Sequence, residues 1–169
     1  EAGIYNICIQ AKDVVGNTSE KWNQTIYIDT VAPVISNVVS STENEWSKEE
    51  IQITFDVTDE YPGEVASVWS KWSQEGSMIP PVKEADCKDC QRVTKTEDGK
   101  YVIKVEDIED KDGYVHIWAY DQAGNVSEVT NKQIRIDVTA PTGNFMIPEK
   151  KLSNENVNMV IEASDPIQN

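Results

Sequence analysis

The sequence predicts an all-β protein, an antiparallel β-sandwich of two sheets that is repeated in tandem. Apolar and polar residues alternate along most segments with the period of two that a half-buried strand requires, and helical periodicity is absent. Turn-forming Gly, Pro, Asn and Asp residues separate these short segments. One block of sequence also occurs twice at a fixed spacing, which is typical of a tandem array.

The repeated block joins a turn motif to a strand and a proline. The pattern D-x-x-G-N-x-S-E begins at Asp13 and again at Asp121, 108 positions later, and I-x-I-D-x-x-A-P follows each copy. A second match, at an offset of 106, relates the alternating segment at 51–59 to the segment at 157–165. We therefore predict one complete unit at 31–138. Residues 1–30 are then the last strands of a preceding unit and 139–169 the first strands of a following one, so we expect the chain to be part of a longer protein.

Seven strands are predicted in the complete unit, at 34–39, 51–57, 65–73, 91–95, 101–105, 113–121 and 133–137. The second is the clearest, because Ile51, Ile53, Phe55 and Val57 alternate with polar residues and give the strand one dry face. Turns are expected at Pro62–Gly63 and Asp98–Gly99, and polar loops at 40–50, 75–92 and 106–112. About seven short strands in a unit of this size suit a sandwich with its own core.

The two partial units cannot shield their inward faces, because half a sandwich lacks the opposing sheet. The inward side chains are Ile7, Ile9, Ile26 and Ile28 at one end and Val157, Met159 and Ile161 at the other. We expect these ends to pack on another chain or on each other.

Composition excludes several classes of function. The net charge of −15 argues against nucleic acid and against anionic membrane surfaces, and no apolar run is long enough to cross a membrane. The sequence has no nucleophile motif and no phosphate-binding glycine loop. Its 30 acidic residues are typical of a solvated surface. We therefore predict no enzymatic activity and no cofactor.

The turn motif has a structural and a metal-binding interpretation. Asp121 begins a turn by accepting from backbone N–H groups, and Gly124 supplies the positive φ that a tight reversal needs. Alternatively, Asp121 and Asn125 are calcium candidates with Asp59 as a third. Calcium takes six to eight oxygen ligands, and the sequence does not assemble such a set. We therefore prefer the structural turn and predict no metal.

The cysteines offer a disulfide candidate. Cys87 and Cys90 lie in C-K-D-C within a polar loop, and a local disulfide is the favoured interpretation. A zinc site would need two further ligands, which the sequence does not offer. A redox motif would need a helix after it, and none is predicted. Two free thiols are the remaining alternative. Cys8 is expected to be a free cysteine in a strand.

The strand at 113–121 carries aromatic residues on its outward side. Its inward residues Val115, Ile117 and Ala119 match apolar residues of the first copy. The outward residues, here called the outer aromatic row, are Tyr114, His116, Trp118 and Tyr120. The first copy has Asn6, Cys8, Gln10 and Lys12 there, so the fold does not require aromatics. Further candidates for a binding surface are Trp69, Trp72 and Arg135, because aromatic residues and Arg dominate interfaces. Alternatively, the loop at 75–92 or a neighbouring unit covers the row.

The stretch from Gly113 to Glu128, followed by I-R-I-D-V-T-A-P, resembles the bacterial Ig-like repeats of large secreted and wall-anchored surface proteins. The first copy departs from the pattern at Val15 and Val31. The resemblance implies an Ig-like sandwich at the bacterial cell surface, often on a Gram-positive wall, with neighbouring Ig-like repeats as partners. It implies no single activity.

Three functions remain open at this stage. The first is a non-catalytic stalk, spacer or adhesin repeat. The second is a module that binds a host protein, such as an immunoglobulin, or a host glycan through the aromatic face. The third is an accessory domain of a secreted carbohydrate-active enzyme.

Overall fold

The computed structural model describes residues 2–60, 63–82, 84–106, 109–146 and 159–165. Throughout these residues the protein is all-β, apart from a single 3₁₀ turn at Glu84–Asp86. The strands are β1 (Gly3–Ile9), β2 (Trp22–Ile28), β3 (Val34–Ser40), β4 (Trp46–Ser47), β5 (Ile51–Thr58), β6 (Val65–Ser73), β7 (Gln91–Val93), β8 (Tyr101–Val105), β9 (Lys111–Asp121), β10 (Thr130–Ile136), β11 (Thr142–Met146) and β12 (Val160–Ser164). None of the described segments forms a helix of the length and apolarity that a membrane crossing needs.

Two sheets face each other across one core, which confirms the predicted all-β sandwich. The smaller sheet has the order β3-β5-β8 and the larger sheet the order β4-β10-β9-β6-β7. Phe55 of β5 stacks on Tyr101 of β8 with ring centroids 5.6 Å apart. The core also holds Val68, Val115, Ile117, Ala119, Ile134 and Ile136 from the larger sheet. The alternation in β5 and β9 therefore predicted correctly which side chains enter the core.

The first and last strands form two separate hairpins. β1 pairs with β2, and β11 pairs with β12, both antiparallel. Their apolar side chains are exposed, among them Ile9, Ile26, Met159 and Ile161, while Val157 lies outside the described residues. Association of these ends with another surface remains a prediction, and so do the unit boundaries at residues 30 and 138.

Several strand limits differ from the sequence prediction. β4 lies in the segment predicted as a polar loop, and it pairs in parallel with the edge of β10 through Trp46 and Arg135. A strand of two residues is too short to show alternation, which explains the omission. β9 begins at Lys111, inside the predicted acidic loop, because Lys111 pairs with Ile136 of β10. Of the predicted Pro62–Gly63 turn, Pro62 lies outside the described residues.

Candidate functional site

The two copies of the turn motif adopt the same hydrogen-bonded turn. In the second copy the Asp121 N–H donates to the Asn125 carbonyl at 3.1 Å, and the Asn125 N–H and Nδ2 donate to the Asp121 carboxylate at 2.8 and 2.7 Å. In the first copy Asp13 and Asn17 repeat these bonds at 2.9, 2.8 and 2.7 Å. Gly124 has a φ of 93°. The structure therefore matches the turn interpretation of the motif.

The motif serine closes the turn against the strand before it. Ser127 Oγ accepts a hydrogen bond from the Ala119 N–H at 2.9 Å and donates to the Glu128 carbonyl at 2.9 Å. Ser19 makes the same two contacts in the first copy. The copies differ in environment, because Ser127 is buried and Ser19 is exposed.

Asn125 also reaches the segment that leads into the sandwich. Its Nδ2 donates to the main-chain carbonyls of Asp29 and Val31 at 3.3 and 3.2 Å. All of its partners, including the Asp121 carboxylate, are acceptors, so they fix the amide with its nitrogen toward them. Asn125 is therefore a strap between the turn and the segment at 29–31, and its candidacy as a calcium ligand stays a prediction.

Three carboxylates converge beside this strap. One carboxylate oxygen each from Asp29, Asp59 and Asp121 lies within 4.8 Å of the other two. Asp29 Oδ1 accepts from the Val31 N–H and Asp59 Oδ1 from the Glu60 N–H, both at 2.9 Å. The remaining oxygens, Asp29 Oδ2 and Asp59 Oδ2, are buried without a hydrogen-bond donor.

The electrostatics of this carboxylate cluster are unfavourable. Burial raises the pKa of Asp59, and the negative charges of Asp121, Asp29 and Glu60 raise it further, against the lowering effect of the Glu60 N–H. Like charges held close together disfavour the ionised form. The sequence analysis named Asp59 and Asp121 as candidates. Asp29 was not among those candidates, because the sequence shows it as a single acidic residue at the junction, after the I-x-I of the preceding strand.

The outer aromatic row is covered. His116 and Trp118 are fully buried, Tyr120 is nearly so, and Tyr114 is half-buried. The Tyr120 hydroxyl donates to the Pro81 carbonyl at 2.5 Å, which ties the loop after β6 over the row. The interpretation of the row as an exposed binding surface is therefore wrong. The structure matches the alternative, in which the loop after β6 covers these side chains.

His116 anchors the same loop from beneath. Its Nδ1 lies 2.6 Å from Asn131 Oδ1 and its Nε2 lies 2.8 Å from Ser73 Oγ. Asn131 Nδ2 donates to the Gly76 carbonyl at 3.0 Å, which turns Oδ1 toward the ring and makes Nδ1 the donor. The order Ser, His, Asn is reminiscent of a hydrolase triad. Here the imidazole is fully buried beneath the loop, so these groups hold the loop against the sheet.

Of the other binding candidates, Trp69 lies beside the row, whereas Trp72 and Arg135 do not pair with it. Trp69 lies opposite Trp118 on the outer face, and its Nε1 donates to Ser67 Oγ at 3.0 Å. Trp72 lies opposite Val115 and therefore on the core face of the sheet, where it is 41% exposed at the rim of a cavity of about 300 Å³.

Arg135 lies on β10 opposite Asp112, beyond the end of the row at Tyr114. It approaches Asp112 at 3.5 Å and the ring of Trp46 at 5.7 Å. The predicted set of seven binding residues is thus divided among three locations.

The covering loop is closed covalently. Cys87 and Cys90 form a disulfide with Cα atoms 5.7 Å apart, and Cys8 is a free, exposed cysteine of β1. Lys71 Nζ donates to the Lys88 carbonyl at 3.1 Å and ties the loop to β6.

No protein-family model matches the sequence, and no curated protein matches it. Among solved structures the chain is similar to the fibronectin(III)-like modules of CbhA from Clostridium thermocellum. The TM-score is 0.43 and the sequence identity 19%, over 80% of this chain and 63% of that one. The chain therefore spans less than two thirds of that structure.

Proposed function

We propose that the chain is a non-catalytic module of an extracellular bacterial surface protein, in which Ig-like units follow one another as a stalk, a spacer or the repeats of an adhesin. The strap from Asn125 to the carbonyls of Asp29 and Val31 is the observation that carries this proposal. Through it, a turn of the sandwich holds the segment that enters the sandwich. A spacer needs this restraint, because loosely linked units do not keep a fixed direction.

The segment that leaves the sandwich is restrained in a similar way. Asp110 accepts from the Val138 N–H at 2.7 Å and from the Thr139 N–H at 3.2 Å, and the Thr139 hydroxyl also donates to its carboxylate. The Asp137 N–H donates to the Ser47 carbonyl at 2.9 Å. Pro33 and Pro141 add backbone stiffness next to these contacts. Both connections are therefore held by hydrogen bonds to the sandwich.

The contacts of the buried polar side chains support a structural role. His116, on the outer face beneath the covering loop, bonds to Ser73, and Ser127 closes the turn after β9. The disulfide between Cys87 and Cys90 supports an oxidising, extracellular location.

Restricted motion at the entering segment is testable by distance measurement. Spin labels at the native Cys8 and at Glu97→Cys, both exposed, report the distance between the first hairpin and the sandwich. We expect a narrow distance distribution in the parent and a broad one in Asn125→Ala. The matched control is Asn17→Ala, which disrupts the equivalent turn in the first hairpin and leaves the strap intact. A broad distribution in the parent would refute the spacer proposal.

A binding role is the second candidate, and it now centres on Trp72. The half-exposed indole at the rim of the cavity is the observation that favours it. Panels of immunoglobulins, other host proteins and glycans should be compared between the parent and Trp72→Ala. Binding that survives this substitution would argue against this surface. The role of accessory domain in a carbohydrate-active enzyme remains a proposal that the sequence flanking this chain would decide.

A further inference from the structure

We propose that Asp29, Asp59 and Asp121 bind one Ca²⁺ ion at the entrance to the sandwich. The ion would join the segment before β3 to the end of β5 and to the turn after β9. The inference rests on the geometry of the carboxylate cluster and does not depend on the spacer proposal.

The spacing of the oxygens fits one ion. Calcium lies about 2.4 Å from each oxygen ligand, so two oxygens on opposite sides of it are separated by about 4.8 Å. The three carboxylate oxygens lie within 4.8 Å of one another. Three oxygens at this limit leave their common centre about 2.8 Å from each, so a small rotation of the side chains would bring all three to the calcium distance.

A second, independent observation points to a missing ligand. Buried polar atoms nearly always have a partner, because burying them alone is costly. In the described part of the chain, three buried side-chain atoms have none, and two of them are Asp29 Oδ2 and Asp59 Oδ2. No Lys or Arg forms an ion pair with the cluster within those residues, where the ion pairs involve Asp56, Glu109 and Asp112. A divalent cation would satisfy both oxygens and offset the repulsion.

The backbone encloses the cluster on one side. A side-chain carbon at Gly63 would overlap Asp29 Oδ2 and would lie 2.7 Å from Asp59 Oδ2, so only glycine lets the chain approach this closely. The Glu60 carbonyl, which accepts a hydrogen bond from the Gly63 N–H at 2.7 Å, lies 3.0 Å from that same position. Calcium accepts such a mixture of carboxylate, carbonyl and water oxygens.

Two of the three acidic positions have a counterpart at the following junction of this chain. Asp29 and Asp59 correspond to Asp137 and Asp165 at the following junction. Within the described residues, however, only Asp29, Asp59 and Asp121 form a cluster with metal-binding spacing. We therefore expect one ion per chain at the first junction.

The test is calcium titration of the complete 169-residue chain after chelator treatment, by calorimetry and by thermal unfolding in EDTA and in millimolar CaCl₂. The parent should bind one Ca²⁺ and unfold at a higher temperature in calcium. Asp59→Asn should lose at least tenfold in affinity. In EDTA this variant should unfold no lower than the parent, because the new amide donates to the neighbouring carboxylates. The stability order of the two proteins should therefore reverse when calcium is added.

The matched control is Asp13→Asn. It makes the same Asp-to-Asn change at the first-copy counterpart of Asp121, where the described residues form no cluster with metal-binding spacing, so it should leave the calcium response unchanged. Asp29→Asn tests the site from outside the sandwich if Asp59→Asn does not fold. The proposal is overturned if the parent does not bind calcium or if both cluster variants bind it as well as the parent does. It is also overturned if the parent binds Mg²⁺ at least as tightly as Ca²⁺. Running the spin-label experiment in EDTA separates failure of this site from failure of the spacer role.

Discussion

Replacing Ser127 with Ala should destabilise the sandwich, whereas replacing Ser19 should not. The two serines make the same pair of hydrogen bonds at 2.9 Å. In the second copy Ser127 is 5% exposed and Ala119 is fully buried. In the first copy Ser19 and Ala11 are exposed. The chain thus offers one interaction in two environments.

The magnitude follows from what water can reach. In Ser127→Ala the Ala119 N–H is left buried without an acceptor, which costs about 1–3 kcal/mol. Glu128 is an exposed residue, so we expect water to replace the hydroxyl at its carbonyl at little cost. In Ser19→Ala water replaces the lost acceptor, and the change should stay below about 0.5 kcal/mol.

Urea unfolding followed by tryptophan fluorescence measures the difference, because four of the five tryptophans (Trp46, Trp69, Trp72 and Trp118) lie in the sandwich. A loss near 2 kcal/mol should lower the midpoint by roughly 1 M urea. Amide exchange at Ala119 should accelerate in Ser127→Ala. A midpoint unchanged from the parent, or equal losses in the two variants, would refute the argument that burial sets the cost.

Three further predictions follow from contacts on the sandwich. Trp118→Phe removes a buried Nε1–H that has no acceptor, but it also removes packing volume. Because these effects oppose each other, the free energy of unfolding should change by no more than about 1 kcal/mol. Trp118→Ala should lower it by about 3–5 kcal/mol in the same chemical unfolding measurement. Tyr120→Phe loses the hydrogen bond to the Pro81 carbonyl, which should lower the free energy of unfolding by about 1 kcal/mol. It should also speed proteolysis within residues 75–82. An unchanged cleavage rate would argue that this bond does not hold the covering loop in place. The hydrogen bond from Lys100, and then that from Asn37, lowers the pKa of Asp56 below its usual 3.8. Asp56 therefore contributes stability that is present above pH 3.8 and is lost as the pH falls through the lower folded-state pKa. Asp56→Asn should weaken the acid dependence of unfolding in that range, and an acid limb identical to that of the parent would contradict it.

The sequence predicted the core well because strand alternation reports sidedness directly. Ile51, Ile53 and Phe55 could be placed inward from period alone, and so could Ile117. The same rule placed Trp118 on the outer face. Alternation states which side of a sheet a residue occupies, and it does not state whether that side meets water. The cover comes from Gly76 and Pro81, in a loop without any periodic signal.

The carboxylate cluster was only partly predictable for a different reason. Asp121 belongs to a local turn motif, and Asp59 ends a clear strand, so each could be named as a candidate. Asp29 lies 30 positions from Asp59 and 92 from Asp121. Their proximity depends on how the entering segment folds back against the sandwich, which no local pattern encodes. The strap by Asn125 was missed for the same reason, because its acceptors are main-chain carbonyls, which every residue carries.

The covered aromatic face limits how such units can be recombined. The first copy of the repeated sequence has Asn6, Cys8, Gln10 and Lys12 where the second copy has Tyr114, His116, Trp118 and Tyr120. A chimaera that combined the aromatic strand with a short connection after β6 would expose the aromatic face of the sheet to water and would aggregate. The reverse chimaera would bury polar groups beneath a lid that cannot satisfy them. The residues of this strand and the length of the loop after β6 must therefore change together. The residues at these four positions then indicate whether a related unit has a covering loop.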